Sequence, residues 1–403
     1  MRNCKLFIVA IVTLFMLLSC NRSISKVVLD DLNVLVDSVR VQYVPDSRDE
    51  VFDISVSEQG NKFVVQGVTS VPEAKAGLMG SLSKIRPDII DSVRILPDEN
   101  LGDQTCAVVN IPVADLRTEP NQDAELATQL LLGAVVETLQ NEQDWYRVKT
   151  PEGYVAWIHG STLVRMNQEK LDAWKAAPKV IFTGNEGFVC ETPDESGQRT
   201  SALVFGNLLK LERDSGRFYC VSFPDGNKAF VQKSQSQKFD EWKAAIQLTG
   251  ESIVQKALAL RGKPYLWGGT SIHAMDCSGF VKTVYLKHGI VLRRDASQQV
   301  KTGITVDIST GYDNLRPGDL LFFGKKAEEN RPERVRHVGI YMGNKEFVHS
   351  SGADVHVSSF DPAKPNYDEG NTKEFIYARR ILGAVGTKGI DVFENRGFPP
   401  ARE

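Results

Sequence analysis

A turn-rich stretch that leads into a cysteine constrains this chain more than any other feature of its sequence. The segment Gly262–Gly269, which reads GKPYLWGG, is followed at close range by Asp276–Phe280, which reads DCSGF. Four apolar residues then recur on one helical face: Phe280, Val281, Val284 and Tyr285. With Gly289 placed to end the helix, this spacing predicts Cys277 in or beside the first helical turn. Unpaired N–H groups and the helix dipole favour a thiolate there, whereas a cysteine considered alone is more often a buried structural residue.

Length and composition limit the possible classes of protein. The chain has 403 residues, of which 42% are hydrophobic and 25% charged, and this predicts roughly two to four globular domains. A formal net charge of −3 gives no basic stripe, so we do not expect a nucleic-acid partner. The six cysteines form no CxxC pair, and we therefore expect no metal site, disulfide framework or cofactor. Cys190 and Cys220 could pair only if the fold places them face to face.

The first twenty residues have the pattern of a signal peptide. A short basic start precedes the apolar run Leu6–Leu18, which is too short to serve as a membrane-spanning anchor. The run ends in Leu-Leu-Ser-Cys at Cys20, which resembles the lipobox of bacterial lipoproteins. That resemblance implies cleavage before Cys20 and lipidation of its thiol, so the protein is expected outside the cytoplasm, in the periplasm or at the outer membrane. Asn21 favours outer-membrane sorting, and a plain secretion signal is the alternative.

Residues 21–104 are predicted to form a small α+β domain. Strand patterns cover residues 51–56, 62–68 and 92–96, and a helical pattern covers residues 72–83. This region carries no catalytic signature, and the sequence does not indicate its role.

Residues 105–177 have the short strands and closely spaced turns of a small β-barrel. The segments Trp145–Val148 and Gly153–Ile158, which read WYRV and GYVAWI, resemble a bacterial SH3 domain. Residues 178–247 repeat the pattern more weakly. Each of the two regions ends in a similar helical connector, LDAWKAA in the first and FDEWKAA in the second, as a duplication would give.

Residues 248–385 combine a helical start with several strands, which is an α+β layout, and they carry a pair of histidines. His337 begins an apolar strand, and His349 ends the next strand after a short turn at residues 343–345. Antiparallel strands joined by so short a turn place both histidines at one end of a hairpin. His337 then fits a general base and His349 fits the residue that orients it. The other histidines of the region, which have weaker arguments, are His273, His288 and His356.

These motifs together resemble the NlpC/P60 family of papain-like cell-wall peptidases. The stretch Gly262–Gly269, the DCSGF segment, Leu315–Phe323, RHVGIY from Arg336 and VHS from Val348 occur in the family's order. The resemblance implies a papain-like α+β domain over residues 248–385, with residues 386–403 as a tail. It implies Cys277 as nucleophile, His337 as base and His349 as the third catalytic residue. It further implies that the Tyr265 hydroxyl helps to position the oxyanion.

An SH3 region ahead of this domain resembles the γ-D-glutamyl-L-diamino acid endopeptidases of the family. That resemblance implies a murein stem peptide with a free N-terminal L-Ala as the substrate, cleaved after γ-D-Glu to release L-Ala-γ-D-Glu. The diamino acid, diaminopimelate or lysine, remains open. Six residues are candidates for binding this substrate: Asp276, Ser278, Asp295, Ala296, Tyr154 and Glu125. Asp276 is the first candidate for the ammonium because a buried cation needs a carboxylate.

Two alternatives belong to other classes of protein. One is a non-catalytic scaffold that binds peptidoglycan through its SH3 barrels, and the intact set of Cys277, His337 and His349 argues against it. The other is an acyltransferase that uses the same cysteine and histidines, which the SH3 region and the murein-type motifs disfavour. At position 296 the family pattern has serine, so a substrate contact by Ala296 would use its backbone.

Overall fold

The computed structural model describes residues 27–60, 62–329 and 331–394 and divides into two units between Asn100 and Leu101. The predicted signal peptide with Cys20 and the last nine residues of the predicted tail lie outside the described residues. Across the part of the chain that the structure describes, no helix combines the length and hydropathy needed to cross a membrane.

In the described residues of the first unit, 27–60 and 62–100, the chain forms a three-stranded sheet and two α-helices. Its elements are α1 over residues 27–43, β1 (Phe52–Gln59), β2 (Lys62–Thr69), α2 (Pro72–Ile85) and β3 (Ile90–Ile95). Strands β1 and β2 are antiparallel, and α2 returns the chain so that β3 lies parallel to β2. Helix α1 is absent from the sequence prediction, although Leu32, Val36 and Val39 are buried at helical spacing.

The second unit begins with a seven-stranded sheet followed by a helix. The elements are β4 (Cys106–Val109), β5 (Val113–Arg117), β6 (Leu126–Leu131), β7 (Val135–Glu142), β8 (Trp145–Lys149), β9 (Val155–His159), β10 (Leu163–Met166) and α3 (Gln168–Ala176). Neighbouring strands follow the order β10-β4-β7-β8-β9-β5-β6. The core holds alternating residues of these strands, including Val136, Val148 and Ile158.

A second seven-stranded sheet follows with the same pattern of neighbours. Its elements are β11 (Lys179–Phe182), β12 (Glu186–Cys190), β13 (Arg199–Val204), β14 (Leu208–Ser215), β15 (Phe218–Ser222), β16 (Lys228–Gln232), β17 (Ser236–Lys238) and α4 (Phe239–Ala244). The order β13-β12-β16-β15-β14-β11-β17 is the order of the first sheet read in reverse. Cys190 and Cys220 are both paired in register with Phe230 of β16, from opposite sides. A strand therefore separates them, and both are free thiols.

The remainder of the unit is an α+β layer built on a six-stranded sheet. Its helices are α5 (Gly250–Leu258), α6 (Cys277–Leu286), α7 (Ala296–Gln299) and α8 (Glu369–Lys373). Its strands are β18 (Ile290–Leu292), β19 (Ile304–Val306), β20 (Leu320–Lys325), β21 (Arg334–Gly343), β22 (Glu346–Ser351), β23 (Asp354–Ser359), β24 (Phe375–Arg380) and β25 (Ile390–Val392). The large sheet has the order β19-β24-β20-β21-β22-β23. Helix α6 packs on β21 and β22 through Phe280, Val281 and Val284, which places the start of α6 beside the start of β21.

The described part of the predicted tail, residues 386–394, is packed against other elements. Strand β25 pairs with β18, and Phe393 packs against Phe239 and Trp242 of α4. Residues 390–393 therefore belong to the packed structure and not to a loose tail. A three-residue strand lacks the length that makes a strand recognisable from its sequence.

Candidate active site

Cys277 is the first residue of helix α6, as the sequence predicts. Asp276 caps the helix, and its carboxylate accepts the N–H of Gly279 at 2.7 Å. A Cβ at position 279 would lie 2.0 Å from the carbonyl oxygen of Gly269, so this position needs glycine. The turn-rich stretch is thereby held against the helix that carries the thiol.

The thiol itself is buried and neutral. Burial raises the pKa of Cys277 to about 12, and the Asp276 carboxylate acts in the same direction. The N–H groups of Val338 and Ser278 and the Arg294 guanidinium stabilise the thiolate, but their effect on the pKa is smaller. Burial thus outweighs the helix terminus, which by itself would favour a thiolate, and the raised pKa favours the protonated thiol near neutral pH.

His337 and His349 are brought together, as the hairpin pattern predicts. His337 Nε2 lies 2.7 Å from His349 Nδ1, and His349 Nε2 lies 2.9 Å from the hydroxyl of Ser358 on β23. Burial lowers the pKa of His337 to about 3 and that of His349 to about 2, so both rings are neutral. Because the N–H of Val338 faces the Cys277 sulfur, His337 lies next to the thiol along β21. His337, His349 and Ser358 thus form a chain of contacts that begins at the residue before Val338, whose N–H faces the thiol.

Tyr265 lies on the approach to the cysteine. Burial, with a smaller contribution from the neighbouring Cys277 and Asp276, raises the pKa of its phenol to about 12. The hydroxyl therefore keeps its proton near neutral pH and is a hydrogen-bond donor close to the sulfur.

The remaining histidines have other partners. His288 at the end of α6 contacts the Val284 carbonyl and the Ser252 hydroxyl at 2.9 Å each. His273 is half exposed and lies 3.6 Å from Glu186. His356 is the cross-strand neighbour of His349, with ring centroids 4.5 Å apart.

Asp276 has a different environment from the one expected for an ammonium-binding residue. Its two carboxylate oxygens lie 2.6 Å and 3.2 Å from the guanidinium nitrogens of Arg294, a side chain that is 1% exposed. The Gly268 N–H donates to the same carboxylate at 3.0 Å, and the Ser278 hydroxyl donates to it at 3.1 Å. The charge of Asp276 is thus compensated within the protein, and the residue holds the helix start in place.

Ser278, Asp295 and Ala296 surround the same arginine. The Ser278 hydroxyl accepts from Arg294 at 2.9 Å, and the Asp295 carboxylate lies 3.8 Å from that guanidinium. Asp295 caps the short helix α7 in a capping box with Gln298, and its side chain is 27% exposed. Ala296 is buried. Asp295 is therefore the more accessible of the two predicted carboxylates.

The first barrel sheet contacts the turn-rich stretch directly. Glu125 accepts a hydrogen bond from the indole N–H of Trp267, a side chain that is 62% exposed. Gln129 accepts from the backbone N–H of Thr270 at 3.1 Å through its side chain and from the Thr270 hydroxyl at 2.8 Å through its carbonyl. Tyr154 is buried near Arg294. Burial opposes the charge of Arg294, but Asp276, Asp295 and Tyr154 together raise the pKa of this arginine above its ordinary value. Both predicted barrel residues thus lie beside the site.

Three features of the site are absent from the sequence prediction. They are the Asp276–Arg294 pair, the contact of His349 with Ser358, and a buried ion pair between Glu152 of the first barrel and Lys282 of α6. An arginine directly before Asp295 is the one signal that could have indicated the first of them. Among the described residues, no group of three or more His, Cys, Asp or Glu side chains could hold a metal ion.

Comparison with known proteins places this site in a family. The NlpC/P60 family profile matches residues 262–372, and the profile of the bacterial dipeptidyl-peptidase Sh3 domain matches residues 116–163. The chain is 30% identical over 266 residues to a gamma-D-glutamyl-L-lysine dipeptidyl-peptidase of Bacillus cereus, covering 64% of this chain and 76% of that protein. It is 28% identical over 269 residues to dipeptidyl-peptidase 6 of Lysinibacillus sphaericus, covering 65% and 94% of the two chains.

A solved structure extends the match from sequence to fold. The crystal structure of an NlpC/P60 family protein from Bacillus cereus superposes with a TM-score of 0.58 at 25% identity, covering 69% of this chain and 99% of that one. The matched regions contain both an SH3 domain and the domain that carries Cys277. The chain belongs to the NlpC/P60 family of cysteine peptidases.

Proposed function

We propose that this peptidase hydrolyses the bond between γ-D-Glu and the diamino acid in murein peptides that have a free N-terminal L-Ala. The product would be the dipeptide L-Ala-γ-D-Glu. The observation that carries the proposal is the position of the first barrel beside the turn-rich stretch, where Glu125 bonds Trp267 and Tyr154 lies near Arg294. A barrel placed there would close one end of the substrate site, which suits a substrate with a short amino end. The names of the similar Bacillus cereus and Lysinibacillus sphaericus proteins support the same substrate class.

Cys277 and His337 are proposed to carry the covalent chemistry. The neutral imidazole of His337 takes the thiol proton as the sulfur attacks the γ-D-Glu carbonyl, and it then gives that proton to the leaving amine of the diamino acid. Water, deprotonated by His337, hydrolyses the thioester and regenerates the thiol. His349 holds His337 through the 2.7 Å contact, and Ser358 holds His349 from the other side.

The developing oxyanion needs donors that are in place before the reaction. The Tyr265 phenol, kept protonated by burial, and backbone N–H groups at the start of α6 are the proposed donors. They are fixed by the turn-rich stretch and by the cap of α6, so no reorganisation is needed at the moment of attack.

Asp295 is proposed to bind the substrate ammonium in place of Asp276. The Asp276 carboxylate is compensated by Arg294 and two backbone N–H groups, whereas that of Asp295 is more exposed and lies at 3.8 Å from the same arginine. Glu125 and Tyr154 would complete the amino-end pocket from the barrel side, with Ser278 and the Ala296 backbone at its floor.

The finer division of the chain is also a proposal. Residues 105–177 and 178–247 would be two SH3-like domains with connector helices, residues 21–104 a small α+β domain, and residues 248–385 the papain-like domain. The identical neighbour order of the two barrel sheets supports the duplication. The lipobox-like sequence at Cys20 supports a lipid anchor outside the cytoplasm, which labelling cells with a fatty-acid analogue would test by comparing the chain with its Cys20→Ala variant.

Purified protein and defined peptides test the proposed reaction. L-Ala-γ-D-Glu-diaminopimelate, its lysine counterpart and the N-acetylated form of each are incubated with the enzyme, and released dipeptide is measured. We expect cleavage of a free-amine peptide and at least about a hundredfold lower kcat/KM for its acetylated form, since acetylation removes the charge that the pocket would bind. Equal rates on free and acetylated peptides would contradict the proposed specificity.

A further inference from the structure

A buried ion pair joins the first barrel to the helix that carries the thiol. Glu152 lies in the turn between β8 and β9, and its carboxylate bonds the ammonium of Lys282, one and a half turns along α6 from Cys277. Their side chains are only 4% and 13% exposed. Burial alone would raise the pKa of Glu152, but the Lys282 ammonium keeps that pKa below its ordinary value. Burial lowers the pKa of Lys282 and the Glu152 carboxylate opposes that effect, so each side chain depends on the other for its charge.

The same turn is held by a second cation from a different element. The Arg293 guanidinium, which lies between β18 and α7, donates to the Glu152 carbonyl oxygen at 2.8 Å. Gly153 follows with a φ of +82°, and a Cβ there would lie 3.0 Å from that guanidinium. Backbone and side chain of one turn are thus both attached to the catalytic domain.

The residue that this turn delivers to the site is Tyr154. Its N–H donates to the Thr150 hydroxyl at 3.0 Å, so the backbone of the tyrosine is tied to the start of the turn. Its ring is buried beside Arg294, which holds Asp276 at the start of α6. The barrel is therefore connected to α6 directly, through Glu152 and Lys282, and indirectly, because Tyr154 lies beside the arginine that holds Asp276 at the start of the helix.

We propose that Glu152 and Lys282 form a positioning pair that sets the distance of Tyr154 from the start of α6 and thereby determines affinity for the amino end of the substrate. Neither side chain touches the reacting atoms. The pair acts by fixing the barrel wall of a pocket that is otherwise built on the catalytic domain. This inference rests on the proposed function, because it assigns Tyr154 to the pocket for the free amino group.

The second barrel provides a matched control. Its turn Pro224-Asp225-Gly226 corresponds to Pro151-Glu152-Gly153, but Asp225 is exposed and bonds Asn110 and Asn227. Asp225→Asn removes the same charge from the same kind of turn without altering a contact to α6.

The test compares Glu152→Gln, Lys282→Gln, the double variant and Asp225→Asn in the full chain. We expect Glu152→Gln to raise KM for the free-amine tripeptide about tenfold with kcat within about twofold of wild type, because binding and not chemistry is altered. The inactivation rate with iodoacetamide, which reports the thiol and His337, is expected to stay within about twofold. The double variant should be no worse than either single one, since the two residues act as a unit. Asp225→Asn should match wild type in every measurement.

Other outcomes overturn the inference. An unchanged KM in a folded Glu152→Gln protein would show that the pair does not position Tyr154. A fall in both kcat and the inactivation rate would assign the pair to the integrity of α6. Glu152→Gln could also raise the KM of the free peptide and the inhibition constant of its N-acetylated form equally. That result would show that the pair does not affect binding of the amino end of the substrate. The proposed function fails separately, if wild type itself cleaves both peptides equally.

Discussion

The two barrel sheets have the same strand order and an almost identical turn, yet the acidic residue of one turn is buried against α6 and that of the other is exposed. In both, a Pro-acid-Gly sequence joins the fifth and sixth strands, and the glycine has a positive φ, +82° at Gly153 and +90° at Gly226. The glycine N–H closes the turn on the residue three positions earlier, at 2.8 Å and 2.9 Å. Local sequence therefore determines the shape of both turns.

The difference between the turns arises from what faces the acidic residue. Glu152 meets Lys282 of α6 and is buried, whereas Asp225 remains exposed and bonds two asparagines at the barrel junction. The longer side chain reaches a cation on another domain, and the tyrosine two positions on is carried to the site with it. The two turns therefore have the same shape and differ in the partner charge that meets the acidic residue.

The largest expected effect concerns two equally exposed cysteines, Cys277 at the start of α6 and Cys190 in the second barrel sheet. Cys277 and Cys190 are each 8% exposed, but only Cys277 lies beside His337 in the arrangement described. We expect Cys277→Ala to lower peptide hydrolysis by about 10⁴-fold or more, because removal of a nucleophile abolishes covalent catalysis. Cys190→Ala is the matched control and should keep near wild-type kcat/KM. Dipeptide release by both variants is the measurement, and substantial activity in Cys277→Ala would refute the assignment.

The next effect contrasts a buried ion pair with an exposed one. Arg294→Met leaves the Asp276 carboxylate buried without its guanidinium, which is expected to destabilise the fold by about 3–5 kcal/mol. Lys233→Met breaks a pair with Asp214 on the surface of the second barrel and is expected to leave the unfolding transition unchanged. Urea unfolding of both variants measures this difference. Equal destabilisation by the two substitutions would mean that burial does not set the importance of the pair at Asp276.

Much of this fold could be predicted because its local patterns are strong. The helix after Cys277 and the hairpin of His337 and His349 follow from apolar spacing and one short turn, and both lie where they are predicted. Helix α1 carries buried residues at the same spacing but is absent from the prediction. The three-residue strand β25 is too short to give a pattern, and only its pairing with β18 makes it a strand.

The site was less predictable because its ion pairs join distant parts of the chain. Arg294 is 18 residues from Asp276, and Lys282 is 130 residues from Glu152, so no local spacing indicates either pair. The protonation state of Cys277 is a similar case. Its position at the helix start can be read from the sequence, but the burial that raises the pKa of the thiol comes from β21 and the surrounding core.

That burial leads to a prediction on pH. Since the pKa of Cys277 is raised to about 12, the thiolate fraction of the free enzyme should grow about tenfold for each pH unit across the range 6–9. The rate of inactivation by iodoacetamide should therefore rise with a slope near one in that range, measured as loss of peptidase activity. A rate that is flat from pH 6 to pH 9 would mean that the resting enzyme holds a thiolate and an imidazolium.

The smallest expected effect comes from substituting the residue that follows the glycine in each turn, Tyr154 in the first barrel and Asn227 in the second. Tyr154→Phe removes one hydroxyl beside Arg294, and Asn227→Ala is the counterpart in the second barrel. We expect Tyr154→Phe to raise KM for the free-amine tripeptide about three- to tenfold with little change in kcat, because a hydrogen bond to a charged group contributes about 1.5–3 kcal/mol at most. Asn227→Ala should leave both constants unchanged. If the two substitutions had equal effects on KM, proximity to Arg294 would not distinguish the first barrel from the second, and the amino end of the substrate would have to be bound by the catalytic domain alone.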